Sequence, residues 1–135
     1  MAHVRRPTPK HTPGIAAPSP STDDEPPAFC FKHACRGFQI TDLSSADKAN
    51  VLDTIHRLTE LSWARLKSMG KQGGTEVIPR YRLCQTVPGC VADEDDILSI
   101  RVEHGTVFRL LGFRCQRILH VLWIDPGGAC YPHGR

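Results

Sequence analysis

The 135-residue chain lacks the sequence features that would assign it to a membrane or to a common enzyme class. No apolar run approaches the roughly 20 residues of a membrane-spanning helix, and the first residues contain no hydrophobic stretch of the secretory type. The P-loop, H-E-x-x-H and G-x-S-x-G motifs are absent. We therefore expect a cytoplasmic protein that has no membrane partner and none of the activities that depend on those motifs.

The cysteines are not arranged as in the usual zinc modules. None of the six forms a C-x-x-C pair, and the closest pairs, Cys30/Cys35 and Cys84/Cys90, are separated by four and five residues. Structural zinc sites usually have roughly two to four residues between paired ligands. We interpret all six cysteines as reduced thiols that pack like small apolar side chains, and we predict neither a metal nor another cofactor. The alternative is a small zinc-binding regulator built on Cys30, His33 and Cys35.

Proline is unevenly distributed and divides the chain into two parts. Residues 1–28 hold seven of the eleven prolines, and such a composition does not build a packed core. We predict a disordered tail over residues 1–28 and a single folded domain over residues 29–135.

Hydrophobic periodicity indicates a helical region and several strands in the predicted domain. Apolar residues recur at three- and four-residue spacing from Ala46 to Met69, Ser44 or Ser45 is the expected N-cap, and the off-pattern Trp63 marks a point where the helix can break in two. Strands are predicted within residues 29–41 and over residues 75–78, 97–103, 106–114 and 117–124. This order predicts an α+β fold, in which a helix or helical hairpin packs on a twisted antiparallel sheet of four to five strands.

Two predicted tight turns set the expected strand pairing. A two-residue turn at His104–Gly105 places Arg101 opposite Phe108. A second tight turn, before the last strand, places Arg109 and His120 as diagonal neighbours on the more apolar face of the sheet, with Arg101 on the other face.

The C-terminal strands carry positive charge among aromatic side chains. Residues 97–124 contain four arginines and a single acidic residue, and Phe108 and Trp123 lie among them. Arginine and aromatic side chains together suit single-stranded nucleic acid. The residues predicted to bind nucleic acid are Arg101, Arg114 and Arg117.

Arg109 and His120 interrupt the apolar pattern of central strands, and buried charge is costly unless it is paired. In one interpretation, Arg109 is ion-paired with Glu76 or Asp125 and His120 is a core side chain. In the other, both residues line a site, where Arg109 binds a phosphate through two parallel hydrogen bonds and His120 exchanges a proton near neutral pH.

Three C-terminal segments carry a family resemblance: R-L-L-G-F-R at 109–114, H-V-L-W-I-D at 120–125 and Y-P-H at 131–133. With the preceding helical region they resemble the RelE/ParE-type toxin superfamily of toxin–antitoxin modules, especially its phage- and mobile-element-associated relatives. The resemblance implies helices on an antiparallel sheet, and a metal-independent endoribonuclease that cuts mRNA on the ribosome. The implied partners are mRNA, the ribosome and a cognate antitoxin.

The resemblance also implies roles for individual residues. Arg109 takes the position of the strand arginine that stabilises the charged phosphorane, and Tyr131 and His133 match the C-terminal acid and base. His120 and Glu76 are further base candidates because of their location. Since the ParE branch acts on gyrase and a shared fold does not fix an activity, the alternative is a catalytically inert nucleic-acid- or protein-binding module, such as a phage accessory protein.

Overall fold

The computed structural model of the protein describes residues 20–131. In chain order, the strands and helices in these residues are β1 (Ala28–Cys30), α1 (Ser45–Leu58), α2 (Trp63–Met69), β2 (Thr75–Ile78), β3 (Ile97–Arg101), β4 (Arg109–Cys115) and β5 (Ile118–Asp125). The five strands form one sheet in the order β1-β5-β4-β3-β2, with β1 parallel to β5 and the other pairs antiparallel. This arrangement confirms the predicted α+β class. Within residues 20–131, no helix is long and apolar enough to cross a membrane.

The helical region is two helices, as the interruption in its apolar pattern predicts. Ser44 is the N-cap of α1, because its hydroxyl accepts a hydrogen bond of 3.1 Å from the backbone N–H of Asp47. Ser62 caps α2 in the same way and accepts from the N–H of Arg65 at 3.1 Å. The side-chain oxygen thus satisfies one of the free N–H groups at the start of each helix. The break at residues 59–62 therefore has a local cause, a second N-cap.

The pairing of β3 with β4 differs from the predicted register by one residue. Arg101 lies opposite Arg109, and Ile100 lies opposite Leu110. The tight turn at His104–Gly105 is replaced by a connection over residues 102–108, in which the Glu103 carbonyl accepts a hydrogen bond from the Thr106 hydroxyl. A shift of one residue moves a strand's side chains to the other face of the sheet. Arg101 and Arg109 therefore share a face, and the prediction that separated them is wrong.

A β-bulge separates the two ends of the β4–β5 ladder. Phe113 pairs with His120 and Arg109 pairs with Asp125, with the shift in register between Leu111 and Gly112. The two backbones approach each other closely at the bulge, since a Cβ at Gly112 would collide with the carbonyl oxygen of His120. Arg109 and His120 share a face, but they are not diagonal neighbours as predicted.

Both faces of the sheet are covered, so the protein has two apolar clusters. The first lies between the sheet and the helices; its largest buried members are Leu58, Trp63, Leu66, Ile100, Leu110, Leu119 and Ile124. The second lies on the opposite face, under segments that carry little regular structure; it includes Ile78, Val91, Ile97, Leu111, Phe113, Leu122, Trp123, Cys130 and Tyr131. Residues 79–96, which connect β2 to β3, therefore form part of a covering layer on this second face.

The predicted domain boundary at residue 29 is too late. The carbonyls of Asp23 and Glu25 accept hydrogen bonds of 2.8 and 3.0 Å from the backbone N–H groups at the start of α2, and Pro27 is buried. Residues 20–28 thus pack on the domain because they supply acceptors to free helix N–H groups. The remainder of the predicted tail, residues 1–19, lies outside the described residues.

Candidate functional site

Two arginines face each other in the middle of the sheet, on the face away from the helices. Arg101 of β3 is directly opposite Arg109 of β4, and the Arg109 side chain is buried, with 7% of the residue exposed. Like charges directly opposite each other on adjacent strands are destabilising, and burial of a charge adds to the cost. Because such a pair lowers the stability of the fold, it is expected where the positive charge has a role other than stabilisation.

The two guanidinium groups have no carboxylate partner within residues 20–131. Arg109 Nη1 donates to the backbone carbonyls of Thr106 and Phe108, at 2.8 and 3.3 Å. Arg101 Nε is buried and has no hydrogen-bond partner among the described residues. The direct ion pair of Arg109 with Glu76 or Asp125 that the sequence suggested is therefore not formed, and the two carboxylates act on Arg109 only through their charge.

Asp125 is instead used to hold the segment that follows β5. Although it pairs with Arg109 in the ladder, its carboxylate accepts hydrogen bonds from the backbone N–H groups of Ala129 and Cys130, at 3.0 and 2.9 Å. The carboxylate thereby fixes the chain that leads to Tyr131. The sequence did not predict this role of Asp125, because hydrogen bonds to a later backbone segment leave no periodic signal.

The pKa of Arg109 depends on the charged groups around it. Burial, followed by the positive charge of Arg101, lowers the pKa of Arg109, whereas Glu76, Tyr131 and Asp125 act in the opposite direction. Glu76 lies on the outer strand β2, paired with Ser99 of β3, and so on the same face as the two arginines. The tertiary structure thus brings together Arg101, Arg109, Glu76 and Tyr131 from four separate parts of the sequence.

Arg82 adds a third cation, which the sequence prediction missed. Its guanidinium carbon lies 5.1 Å from the centroid of the Tyr131 ring, a cation–π distance, and Tyr131 is itself 8% exposed. Arg82 belongs to the short 3-10 turn Arg80–Arg82, in a segment without hydrophobic periodicity. We call Arg82, Arg101, Arg109, Glu76 and Tyr131 the arginine cluster.

The other predicted catalytic residues are not in the arginine cluster. His120 is buried on the same face, where its ring stacks on Phe113 at 4.9 Å and lies 5.7 Å from the His33 ring. Its partner Phe113 is four residues along β4 from Arg109, a separation of about 14 Å at strand spacing. His133 lies outside the described residues.

Arg114 and Arg117, predicted to bind nucleic acid, contact the N-terminal segment instead. Arg114 stacks over the Trp63 ring at 4.3 Å and pairs with the Asp23 carboxylate at 2.7 Å. Arg117 lies 3.6 Å from Glu25. These two arginines are therefore engaged in intramolecular ion pairs, and of the three predicted nucleic-acid contacts only Arg101 belongs to the arginine cluster.

A groove of about 370 Å³ opens on the helix side of the sheet, between α2 and the outer strand β2. Its lining residues carry charge of both signs: Trp63, Lys67, Thr75, Val77, Glu94, Asp95, Asp96, Leu98 and Arg114. The three consecutive acids disfavour a polyanion here. The groove is therefore a poorer candidate than the arginine cluster for a nucleic-acid site.

The structure also bears on the cysteines and on metal binding. All six cysteines are free thiols. In the part of the chain that the structure describes, no three His, Cys, Asp or Glu side chains are grouped so as to hold a metal ion, and this includes Cys30, His33 and Cys35.

Three comparisons place these observations beside known proteins. No protein-family model matches the chain, and no curated protein or solved structure is significantly similar to it. The arginine cluster must therefore be interpreted from its own chemistry.

Proposed function

We propose that the arginine cluster binds the phosphodiester backbone of RNA, and that the protein is a metal-independent endoribonuclease of the RelE/ParE toxin type. The observation that carries this proposal is the Arg101–Arg109 pair, two like charges held opposite each other, neither of which forms an ion pair with a carboxylate of the described residues. A phosphate between them supplies an acceptor for Arg101 Nε, which has none among the described residues, and a negative charge for both guanidinium groups. Arginine suits this role because its planar fork binds two phosphate oxygens at once.

The cluster also contains groups that can move protons in RNA cleavage. The RNA 2′-hydroxyl gives its proton to Glu76 and attacks the adjacent phosphorus, and the arginines stabilise the charged phosphorane. The P–O5′ bond then breaks, and Tyr131 donates a proton to the departing 5′-oxygen. The products are a 2′,3′-cyclic phosphate and a 5′-hydroxyl. No water and no metal ion enters this step.

The test is cleavage of a 5′-labelled single-stranded RNA in the presence of a chelator, with the wild type and Arg109→Ala. We expect cleavage by the wild type and a loss of about 100- to 1,000-fold in rate for the variant, the usual cost of removing an oriented charge stabiliser. The matched control is Arg65→Ala, which removes the same charge from the exposed face of α2 and should leave the rate unchanged.

Stability must be measured on the same samples, because it separates catalysis from packing. Removing Arg109 abolishes a cross-strand repulsion and breaks no direct ion pair among the described residues, so the thermal midpoint should be kept or raised. A folded Arg109→Ala protein that cuts RNA at the wild-type rate would contradict the catalytic assignment.

A second candidate function is a nucleic-acid-binding module without catalysis. It is favoured by the position of His120, the buried histidine of β5, about 14 Å along the sheet from Arg109. In that case the wild type binds RNA without cutting it, and Arg109→Ala weakens binding.

The toxin role has a test in cells. Induced expression of the wild type should arrest growth, and co-expression of the neighbouring open reading frame, as the cognate antitoxin, should relieve the arrest. We expect the toxin to cut mRNA on the ribosome. The Arg109→Ala protein should therefore not arrest growth, because it would no longer cut this mRNA.

A further inference from the structure

Two cysteines from distant parts of the sequence meet in the layer that covers the second face of the sheet. The backbone N–H of Cys84 donates to the carbonyl of Cys130 at 2.7 Å. Because the N–Cα bond and the O=C–Cα unit have fixed dimensions, this contact limits the separation of the two Cα atoms to at most about 6.6 Å. Disulfide-bonded cysteines usually have Cα atoms about 4.4–6.8 Å apart. The backbone is thus already at disulfide distance.

The two thiols differ in access. Cys84 is exposed and Cys130 is fully buried, and both are free thiols. Burial raises the pKa of the Cys130 thiol, as do the negative charge of Asp125 and a hydrogen bond to it, and Cys84 contributes in the same direction. This combination gives one sulfur that a solution oxidant can reach and a second that is protected from it.

We propose that Cys84 and Cys130 form a reversible disulfide when the protein meets a peroxide. The Cys84 thiolate attacks one peroxide oxygen and the O–O bond breaks, which gives a sulfenic acid and, after protonation, water. The Cys130 sulfur then attacks the Cys84 sulfur and displaces hydroxide, which leaves as water with the Cys130 proton. In total, two thiols are oxidised, one hydrogen peroxide is reduced, and two waters form.

The disulfide would act on the covering layer next to the arginine cluster. Cys84 lies two residues after Arg82, and Cys130 immediately precedes Tyr131, so the bond would tie together the two segments that carry the cation–π contact. This inference does not depend on the proposed function, because the bond forms whether or not the cluster binds RNA.

The experiment uses the full chain treated with hydrogen peroxide, after which free thiols are alkylated and the protein is digested with trypsin without reduction. Cleavage at arginine places Cys84 and Cys90 in the peptide 83–101, and Cys130 in the peptide 118–135. We expect these two peptides to be joined, with the loss of two hydrogen atoms, and to separate on reduction.

Two exposed cysteines provide a matched pair of variants that identifies the partner. The cross-link should be lost in Cys84→Ser and retained in Cys90→Ser. In the wild type, oxidation should raise the thermal midpoint by about 5 °C or more, because the bond closes a long loop. The absence of the cross-link, its persistence in Cys84→Ser, or its loss in Cys90→Ser would each overturn the proposal.

Discussion

The Asp23 carboxylate joins the N-terminal segment to the helix side of the domain. Its removal tests how much the contact of residues 20–28 with the domain contributes to stability. It accepts a hydrogen bond of 2.7 Å from Arg114 and another of 2.8 Å from Lys67. Asp23→Ala removes both ion pairs without touching the backbone hydrogen bonds of residues 23 and 25 to α2. We expect the variant to fold and to be less stable than the wild type.

The magnitude follows from the exposure of the partners. The Lys67 side chain is 55% exposed, so this pair contributes on the order of 0.5 kcal/mol, as surface pairs do. The Arg114 side chain is only 19% exposed, and a hydrogen bond between charged groups there contributes about 1.5 kcal/mol. Arg114 keeps its hydrogen bonds to Thr22 and Gln116 in the variant, so no buried charge is left alone. The expected loss is about 2 kcal/mol, or a fall of about 8 °C in thermal midpoint.

The effect has a defined pH dependence. Hydrogen bonds from Lys67 and Arg114 hold the pKa of Asp23 below its ordinary value of 3.8. A carboxyl whose folded-state pKa is lowered stabilises the protein fully above its unfolded-state pKa, about 3.9, and this stabilisation disappears as the pH falls through the lower folded-state pKa. The difference between wild type and Asp23→Ala should therefore be constant from neutral pH to about pH 5 and should shrink below about pH 4.

Urea denaturation at several pH values measures this difference directly. The matched control is Asp24→Ala, because Asp24 is exposed and has the same charge, and its free energy of unfolding should change by less than about 0.5 kcal/mol. Equal stability of the two variants at neutral pH would refute the reasoning, since it would show that residues 20–28 gain nothing from this contact.

Two further predictions concern the helix start and the bulge. Ser44→Ala should lower the free energy of unfolding, measured by urea denaturation, by about 1 kcal/mol, because the Ser44 hydroxyl caps α1. Ser45→Ala should have little effect, and equal losses in the two variants would contradict the N-cap assignment. Gly112→Ala should lower the free energy of unfolding by about 2–3 kcal/mol, because the added Cβ meets the His120 carbonyl. Gly89→Ala, whose added Cβ meets nothing within 4 Å, should be neutral in the same assay, and a Gly112→Ala protein as stable as the wild type would show that the two backbones can separate at no cost.

Sequence reasoning succeeded where structure has local causes. The two helices, the N-cap at Ser44, the break before Trp63 and the strand at residues 75–78 all follow from spacing and capping within a few residues. The α+β class follows from the order of these elements along the chain. For the candidate site, the sequence singled out Arg109, because a charged group in a central strand is unusual. The family resemblance added Tyr131, and Glu76 was considered because of its location.

Other features depended on contacts between segments far apart in the chain. The sequence predicted that Arg101 and Arg109 lie on opposite faces, and a shift of one residue in the β3–β4 register reversed this. Arg114 appeared equivalent to Arg101 as a nucleic-acid residue, yet Asp23, 91 residues away, pairs with it. Arg82 became part of the cluster only because the covering layer placed it on Tyr131.

The sequence by itself therefore determined which residues form helices and strands, and which charged residues need an explanation. The tertiary structure decided which of those residues meet. The physical reason is that hydrophobic periodicity and capping act over a few residues, whereas strand register is set by hydrogen bonds between strands and by connection geometry, and a shift of one residue exchanges the faces of a strand. The Arg101–Arg109 pair, on which the proposed function rests, exists only because of the observed register.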